Sequence, residues 1–497
     1  MCIRDRFEAQ HSRTTAIIER VISALIAALP AASFRLPASN VDAFQVPLRA
    51  ALVDIPKLLD QLITPFFVHT ARGEASLYPV FTGLQALLSV NATEAGHRAR
   101  FRGEALPLPS ELTRQLSEDE LLATYLAGTP FLSFFDATLP FSLPMSARFE
   151  HTYIVAGSGH GKTQTLQHLM AQDLKTVAAG KASLVLIDSQ GDLIDRLLHT
   201  AAFNPDGALA KRLVLVDPTD IEHPVALNLF DQTLRTQTKL SAVDDERLLQ
   251  STIELYRYIF SALLGAELTQ KQGVVFHYLA RAMLVLDRPT VHTLRAFIED
   301  PTPYRDAMEK LDGTARSFFD TQFFTNTYGE TRKQILTRLW GILAIPTFER
   351  MFSAPSNQID LFRSLNDGSI VVINTAKELL KTEGAALLGR FFIALLTQAT
   401  LARSVLPESQ RMPTFVYIDE AHDYFDDKLG ELMNQARKYR VGVTLAHQHL
   451  DQLSVELRST LLASTSIKLV GGVNSKDAML FAREMNTSAD FIQARKK

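Results

Sequence analysis

Short apolar runs rich in β-branched residues recur along the chain from residue 151 onward. They alternate with longer stretches whose apolar residues are spaced as on one face of a helix. Runs that are apolar on both faces and separated by helices indicate a mostly parallel sheet covered on both sides. Seven runs are predicted strands: HTYIVA (151–156), SLVLIDS (183–189), RLVLVDP (212–218), SIVVINT (369–375), FVYIDE (415–420), VGVTLAH (441–447) and SIKLVGG (466–472).

Helical spacing dominates two further regions of the chain. Residues 14–130 contain TTAIIERVISALIAAL and SEDELLATYLAG, with proline-containing breaks between the units. Residues 230–365 contain ERLLQSTIELYRYIFSALLG, QKQGVVFHYLARAMLVL and TRKQILTRLWGILA. The second region lies between the third and fourth predicted strands, which predicts a helical domain inserted into an α/β core.

These changes of pattern divide the chain into four predicted parts. Residues 1–130 form a mainly helical region to which the sequence assigns no role. Residues 131–230 form the first part of the sheet domain and begin with the proline-punctuated connector FDATLPFSLPMSARFEH. Residues 231–365 form the helical insert, and residues 366–497 form the second part of the sheet domain.

Composition bounds the class of protein. Of the 497 residues, 46% are hydrophobic and 21% are charged, which is typical of a globular chain with a sizeable core. The single cysteine, Cys2, excludes an intrachain disulfide and a cysteine-based zinc site. The net charge of −3 neither points to nucleic acid nor excludes it, because a ring that grips a strand needs only a few basic loops.

No stretch of the sequence is predicted to span a membrane. The segment VISALIAALPAASF (21–34) is too short and is broken by Pro30. The segment FFIALLTQATLA (391–402) is also short and carries a glutamine, which favours a buried helix.

The segment AGSGHGKTQT (156–165) follows the first of these strands and opens a helical stretch. It fits the phosphate-binding loop of nucleotide hydrolases, with Ala156 at the position where glycine is usual. Its glycines let backbone N–H groups point at phosphates, Lys162 reaches the β- and γ-phosphates, and the Thr163 hydroxyl binds Mg²⁺. His160 occupies a variable position and is predicted to have no chemical role. The predicted nucleotide-binding residues are Gly157, Ser158, Gly159, His160, Gly161, Lys162, Thr163, Gln164 and Asp188.

A second motif, FVYIDEAHDYF, ends a predicted strand on two carboxylates. Asp419 is placed to hold Mg²⁺ through water, and Glu420 to polarise the attacking water. The alternative is an acidic loop after a buried strand. The letters DEAH occur in one class of helicases, but the Ser-Ala-Thr motif and second motor domain expected of that class do not follow.

The third motif is QARKYRVGVTLAHQHLDQL, in which a helix ends on basic residues before the next strand. The helix ends in Arg437, Lys438 and Arg440, and such a basic end can present an arginine to the nucleotide of a neighbouring subunit. Gln448, at the end of the next strand, can sense the γ-phosphate or position water. The alternative for the basic residues is a solvated helix C-terminus that compensates the helix dipole. His422, His447 and His449 lack a carboxylate at ligand spacing, which argues against a metal site.

The order of these motifs resembles that of the HerA/FtsK-like pumping ATPases. Within them it is most similar to the type IV secretion coupling proteins of conjugation, the TraD/TraG kind, over about residues 140–490. The resemblance implies a RecA-like P-loop NTPase core, ATP and Mg²⁺ as cofactors, a hexamer, and ATP-driven movement of DNA. It also implies a role for the insert in recognising transferred substrates, and partners among type IV secretion or relaxosome proteins.

The resemblance also assigns roles by position. Lys162 and Thr163 correspond to the Walker A pair, Asp419 and Glu420 to the Walker B pair, and Gln448 to the sensor. Arg437 falls where these proteins place the arginine finger supplied to the adjacent subunit. Asp188 and Gly191 fall in the segment after the second core strand, close to the nucleotide.

Two features depart from the coupling-protein pattern. Such proteins usually begin with transmembrane helices, and none is predicted in this sequence. The segment DSQGD also differs from their DPKGE-like form. We therefore expect a cytoplasmic protein, or one held at the bacterial inner membrane through partners. The alternatives left open are a secretion or pilus-assembly ATPase acting on protein, a HerA-like translocase that processes DNA ends, and a non-hydrolysing nucleotide switch.

The segment HRARFRGEALPLP (97–109) is predicted to be extended. Its basic residues would then lie on one face and contact nucleic acid or lipid headgroups, or simply form a solvated strand face. These residues are His97, Arg98, Arg100 and Arg102.

Overall fold

The chain divides into two compact units, Met1–Pro144 and Met145–Lys497. The computed structural model describes residues 3–28, 44–52, 54–67, 79–100, 106–112, 116–141, 144–231, 242–264 and 270–494.

The first unit is mainly helical, as its apolar spacing predicts. Helix α5 (Glu118–Tyr125) begins at a capping box, in which the side chains of Ser117 and Glu120 each bond the other's backbone N–H. The buried faces of the helices share one apolar core that includes Leu59, Leu62 and Tyr125. The remaining helices are α1 (Ile3–Ala28), α2 (Leu48–Ala51), α3 (Ile55–Ile63), α4 (Pro79–Arg98) and α6 (Pro130–Phe135).

The predicted connector after residue 130 contains a strand. β2 (Thr138–Phe141) pairs antiparallel with β1 (Phe44–Pro47), and this pairing assigns residues 131–141 to the first unit. The structure therefore divides the chain after Pro144 rather than after residue 130.

The extended segment predicted at residues 97–109 is wrong at its start. Helix α4 continues to Arg98, whose guanidinium pairs with Glu94 one turn earlier. The chain then turns at Arg100, where φ is 58°. Because 97 and 98 are helical and 100 is left-handed, these side chains do not alternate along one strand face; Arg102 lies outside the described residues.

The second unit is built on a sheet of seven strands in the order β5-β6-β4-β7-β8-β3-β9. Every neighbouring pair is parallel, so the predicted α/β fold with a parallel sheet is confirmed. Strands β3, β4, β7 and β8 are buried along their whole length, which explains their uninterrupted apolar sequences. The strands are β3 (Thr152–Ala156), β4 (Ser183–Asp188), β5 (Leu213–Val216), β6 (Ile370–Asn374), β7 (Thr414–Ile418), β8 (Val441–His447) and β9 (Ile467–Gly471).

Helices connect these strands and form the insert between β5 and β6. Those outside the insert are α7 (Met145–Arg148), α8 (Lys162–Ala178), α9 (Asp192–Leu198), α18 (Lys377–Ala402), α19 (Asp427–Gln435), α20 (Val455–Ser464), α21 (Ser475–Glu484) and α22 (Ala489–Ala494). Those of the insert are α10 (Ala242–Leu264), α11 (Gln270–Val285), α12 (Val291–Glu299), α13 (Arg305–Met308), α14 (Gly313–Phe318), α15 (Gly329–Leu343), α16 (Pro346–Phe352) and α17 (Leu361–Ser364).

The helical insert shares one continuous apolar core with the sheet. Helix α10 packs against both α11 of the insert and α18 of the sheet domain. Buried side chains run without a break from the strands through α18 into an aromatic cluster around Phe297, Phe319 and Phe323. The insert is thus packed onto the sheet domain.

One helical stretch in the described part of the chain, Lys377–Val405, is long and apolar enough to cross a membrane. Most of its apolar window, 61%, is buried inside the protein. The helix is interrupted at Lys381, where φ is 60°, and its C-terminal part carries the segment 391–402. This burial is what we expect of a core helix.

Candidate active site

The glycine-rich loop joins the end of β3 to the first turn of α8. Gly159 and Gly161 have φ angles of 75° and 84°, so the loop needs glycine at these two positions. Ala156 is the last residue of β3 and has no positive φ, which explains why alanine is accepted there. The N-terminus of α8 faces the loop and adds its dipole to an anion site.

Lys162 lies beside both carboxylates of the second motif. Its Nζ is 2.7 Å from Oδ1 of Asp419, and it also donates to Oε1 of Glu420. All three side chains are at most 10% exposed. The structure therefore brings the predicted Lys162, Asp419 and Glu420 together, although Lys162 is more than 250 residues away from the two carboxylates in sequence.

The order of the strands explains this meeting. β8 lies between β3, which leads into the loop, and β7, which ends just before Asp419. All three strands are parallel, so their carboxyl ends meet at one edge of the sheet. Gln448 follows the last residue of β8, and its Nε2 donates to Oε1 of Glu420 at 3.1 Å.

The charges in this cluster stabilise each other. Burial alone raises the pKa of Glu420, but the proximity of His422 and the hydrogen bonds from Lys162 and Gln448 lower it to about 2. Burial alone lowers the pKa of Lys162, but the two carboxylates raise it above its usual value. The ammonium group and the Glu420 carboxylate are therefore both charged at neutral pH.

Asp188 ends β4 at the same edge, beside the strand that leads to Asp419. Burial raises its pKa to about 6; the backbone N–H groups of Gln190 and Leu193 oppose this rise, while the charge of Asp419 adds to it. Its two oxygens accept those N–H groups at 3.0 and 3.2 Å. Asp188 thus fixes the turn before α9, which begins after Gly191.

The ring of His447 is held in one tautomer. Nδ1 donates to Oε1 of Gln452 at 3.1 Å, and Nε2 accepts the hydroxyl proton of Tyr153 at 2.6 Å. Burial lowers the pKa of His447 to about 4, so the ring is neutral at pH 7. These bonds fix the turn that carries Gln448. Within the described residues, no group of three or more His, Cys, Asp and Glu side chains is arranged to hold a metal ion.

The sequence reasoning missed Gly472, which supports the loop from the neighbouring strand β9. Its φ is 57°, and a Cβ atom there would lie 2.1 Å from the ring of His160. A Cβ on Gly157 would in turn lie 2.8 Å from the carbonyl oxygen of Gly472. His160 therefore packs against Gly472, and the paired glycines at the end of SIKLVGG were the available signal.

Gly472→Ala is expected to weaken nucleotide binding by about tenfold or more, because the new methyl group displaces His160 and the loop. Titration of a fluorescent ATP analogue measures the change. Gly180→Ala is the matched control, since Gly180 also has positive φ (71°) but a Cβ there would meet open space. Equal affinity of the Gly472 variant and the control would contradict the role of this contact.

Arg437 lies at the opposite edge of the sheet. It precedes β8, and its Nη2 pairs with Oε1 of Glu150, just before β3, at 2.8 Å. The 7 residues of β8 separate it from Gln448 by roughly 20 Å at about 3.3 Å per residue. Arg437 therefore does not reach the site of its own chain, and its side chain is 67% exposed.

Two arginines hold the segment that carries Arg437. Arg403, which is completely buried, donates to the carbonyl of Tyr439 at 2.8 Å. Arg411 donates to the carbonyl of Lys438 at 3.0 Å. The backbone beside Arg437 is therefore fixed, while its side chain faces solvent.

The other predicted nucleotide-binding residues lie in the loop or on the first turn of α8. Ser158, Gly159 and Gln164 are exposed, and Thr163 is half-buried on the first turn of α8. Of the predicted catalytic residues, Lys162, Glu420 and Gln448 form one cluster and Arg437 stands apart. The chemical role of each remains a prediction.

The model of the type IV secretion-system coupling protein DNA-binding domain matches residues 136–477, which is more than half of the chain. The chain belongs to this family of coupling proteins. The match begins at residue 136, shortly before the second unit starts at Met145, and includes every residue predicted to lie in the nucleotide site. It confirms the resemblance that the order of motifs indicates.

The chain also resembles solved structures, at low sequence identity. The unbound conjugative coupling protein TrwBΔN70 is 17% identical, with 70% of this chain and 74% of that chain covered and a TM-score of 0.48. TrwB in complex with ADP and Mg²⁺ is 16% identical, with 69% and 76% covered and a TM-score of 0.47. VirB4 of Thermoanaerobacter pseudethanolicus is 16% identical, with 73% and 89% covered and a TM-score of 0.40. No curated protein sequence matches the chain.

Proposed function

We propose that this coupling protein hydrolyses ATP with Mg²⁺ and uses the energy to move DNA through a ring of subunits, as the motor of a type IV secretion or conjugative transfer system. The observation that carries the proposal is the buried cluster of Lys162, Asp419, Glu420 and Gln448 beside the glycine-rich loop. It combines a cation for phosphates, a carboxylate for a metal, and a second carboxylate for water.

The residues at the loop fit a magnesium nucleotide. Bound MgATP supplies a transferable phosphoryl group, and the metal neutralises charge on its oxygens. Lys162 would bind phosphate oxygens in place of its carboxylate partners, and the Thr163 hydroxyl and Asp419 would hold the metal, Asp419 through water. Glu420 would then be free to accept a hydrogen bond from the attacking water, and Gln448 would keep the carboxylate oriented toward the loop.

The nucleotide itself is proposed from the loop chemistry and from a relative. Structures of TrwB have been solved in complex with ADP and Mg²⁺ and with a non-hydrolysable ATP analogue. Our proposal extends to this chain the same nucleotide class and metal.

The position of Arg437 supports a site completed between subunits. An exposed arginine at the edge of the sheet opposite the loop is available to a neighbouring chain. An arginine supplied from outside stabilises the charge that develops in phosphoryl transfer. We therefore propose a homo-oligomeric ring, of six subunits by analogy with the family.

DNA is the proposed substrate because the matching family model describes a DNA-binding domain. The test measures ATPase activity with and without single- or double-stranded DNA over a range of protein concentrations. We expect turnover per subunit to rise with protein concentration as the ring assembles, and to rise further with DNA. Activity indifferent to DNA would favour a motor that moves protein, and absence of ATPase activity in the assembled ring would refute the proposal.

A further inference from the structure

His422 is a partly buried neighbour of the proposed catalytic carboxylate, and the motifs assign it no role. Its Nδ1 lies 3.3 Å from Oε2 of Glu420. Both atoms are buried, and neither has a hydrogen-bond partner with ideal geometry among the residues that the structure describes. A small rotation of the ring would therefore form a hydrogen bond between Nδ1 of His422 and Oε2 of Glu420.

The two oxygens of Glu420 have different surroundings. Oε1 accepts hydrogen bonds from Lys162 and Gln448, whereas His422 is the only donor that the described residues place near Oε2. A buried carboxylate oxygen without a donor is costly, so a proton on Nδ1 of His422 stabilises Oε2. The imidazole is thus the group that determines how the carboxylate is oriented on this side.

The backbone places His422 for this contact. Glu420 has φ of 45° and ψ of 44°, and the chain turns at once into the short helical turn Ala421–Asp423. This turn brings residue 422 back beside residue 420. The left-handed conformation of a glutamate is strained, and such strain is found where surrounding contacts fix a functional side chain.

A second carboxylate lies beside the other side of the ring. Nε2 of His422 lies 3.6 Å from Oδ1 of Asp423. Asp423 is itself fixed by Lys377, whose Nζ lies 2.7 and 2.8 Å from its two oxygens. The chain of contacts Lys377–Asp423–His422–Glu420 therefore runs from α18 to the site and limits the movement of the imidazole.

We propose that His422 is a positioning residue for Glu420. When Lys162 binds phosphates instead of Glu420, the imidazole of His422 keeps its contact with Oε2. Oε1 is then oriented toward the attacking water. This inference rests on the proposed function. In the structure described here Lys162 and His422 hold opposite oxygens of one carboxylate. After Lys162 has moved, His422 and Gln448 hold Glu420, and loss of the imidazole frees the carboxylate to rotate.

The functional test compares His422→Ala with His422→Asn, whose amide places an N–H donor close to the position of Nδ1. We expect His422→Ala to lower kcat by about 10- to 100-fold, the effect of misplacing a catalytic group, with KM for ATP changed less than about threefold. His422→Asn is expected to recover most of kcat. His223→Ala, at a side chain that is 81% exposed, is the matched control.

Full kcat in His422→Ala would overturn the inference, as would an asparagine variant no better than alanine. Measuring nucleotide binding by both variants separates loss of positioning from loss of folding. Inactive wild-type protein would instead contradict the proposed function.

A second measurement does not depend on hydrolysis. In full-length protein labelled with [¹⁵N]histidine, the His422 resonances are assigned by their absence from His422→Asn. We expect Nδ1 of His422 to carry a proton, with the signal shifting in Glu420→Gln. An unprotonated Nδ1, or a signal indifferent to Glu420→Gln, would overturn the inference even if the wild-type protein is an active ATPase.

Discussion

Lys162→Ala is expected to lower ATP hydrolysis by at least about 100-fold, the scale on which removal of one preorganised charge-stabilising donor acts. Among the described residues, Lys162 is the only lysine or arginine that forms an ion pair with Asp419 or Glu420. In the proposed mechanism, the substitution removes the group that binds the phosphates and neutralises their charge. Steady-state phosphate release by the assembled protein measures the effect.

The same substitution is expected to destabilise the nucleotide-free protein at neutral pH. Two carboxylates that are at most 8% exposed lose their counter-ion, and breaking such a buried pair costs about 3–5 kcal/mol. In the wild-type protein the folded-state pKa of Glu420 is about 2, below its unfolded value. Its contribution to stability is therefore present above the unfolded pKa of about 4.3 and is lost as pH falls toward 2.

Thermal unfolding at pH 7 and pH 4 tests this linkage. The difference in midpoint between Lys162→Ala and wild type is expected to shrink at the lower pH, because protonation removes the repulsion between the carboxylates. Lys175→Ala is the matched control, since Lys175 lies exposed on the same helix α8. Normal turnover by Lys162→Ala would contradict the assignment of the loop, and an equal deficit at both pH values would contradict the charge argument.

Arg437→Ala is expected to lower kcat by about 10³-fold while leaving nucleotide binding intact, because an arginine supplied in trans acts on the transition state. Its guanidinium lies at the far edge of the sheet, where it pairs with Glu150 rather than with any residue of the loop. ATPase activity and titration of a fluorescent ATP analogue, measured on the same preparation, separate the two effects.

Mixing two inactive variants tests whether the arginine acts between subunits. Arg437→Ala retains an intact loop, and Lys162→Ala retains Arg437, so mixed rings contain sites that have both. We expect the mixture to regain part of the wild-type activity, whereas neither variant alone does. Lys438→Ala, at the exposed neighbour, is the control and should remain active. A mixture as inactive as its components would argue that Arg437 acts within its own chain or only in folding.

Much of the second unit could be predicted from sequence because its signals are local. Each of the seven apolar runs became a strand, and the loop 156–163 combines glycine at positive φ with lysine at the start of a helix. These properties depend on neighbouring residues only: strand and helix periodicity, and the conformational freedom of glycine. The family could be predicted for the same reason, since the order of motifs along the chain is itself sequence information.

The first unit was predicted less well. The strand Thr138–Phe141 forms because it pairs with Phe44–Pro47, more than 90 positions away, and its two prolines nearby indicate a connector. The end of the helix at Arg98 was not predicted, because the run of basic residues from His97 is equally compatible with an extended segment. At the strand a partner distant in sequence decides the conformation, whereas at Arg98 the ion-pair partner Glu94 lies only one helical turn away.

The sequence by itself determined which residues were candidates for the chemistry: Lys162, Asp419, Glu420, Arg437 and Gln448 all carry local signatures. Only the tertiary structure decided how they group, because strand order is a long-range property. Because β8 lies between β3 and β7, Gln448 contacts Glu420, and Arg437 lies at the edge of the sheet opposite the glycine-rich loop. The contacts of Gly472 with His160 and of His422 with Glu420 depend on distances of a few ångströms across turns, which no spacing of residues encodes.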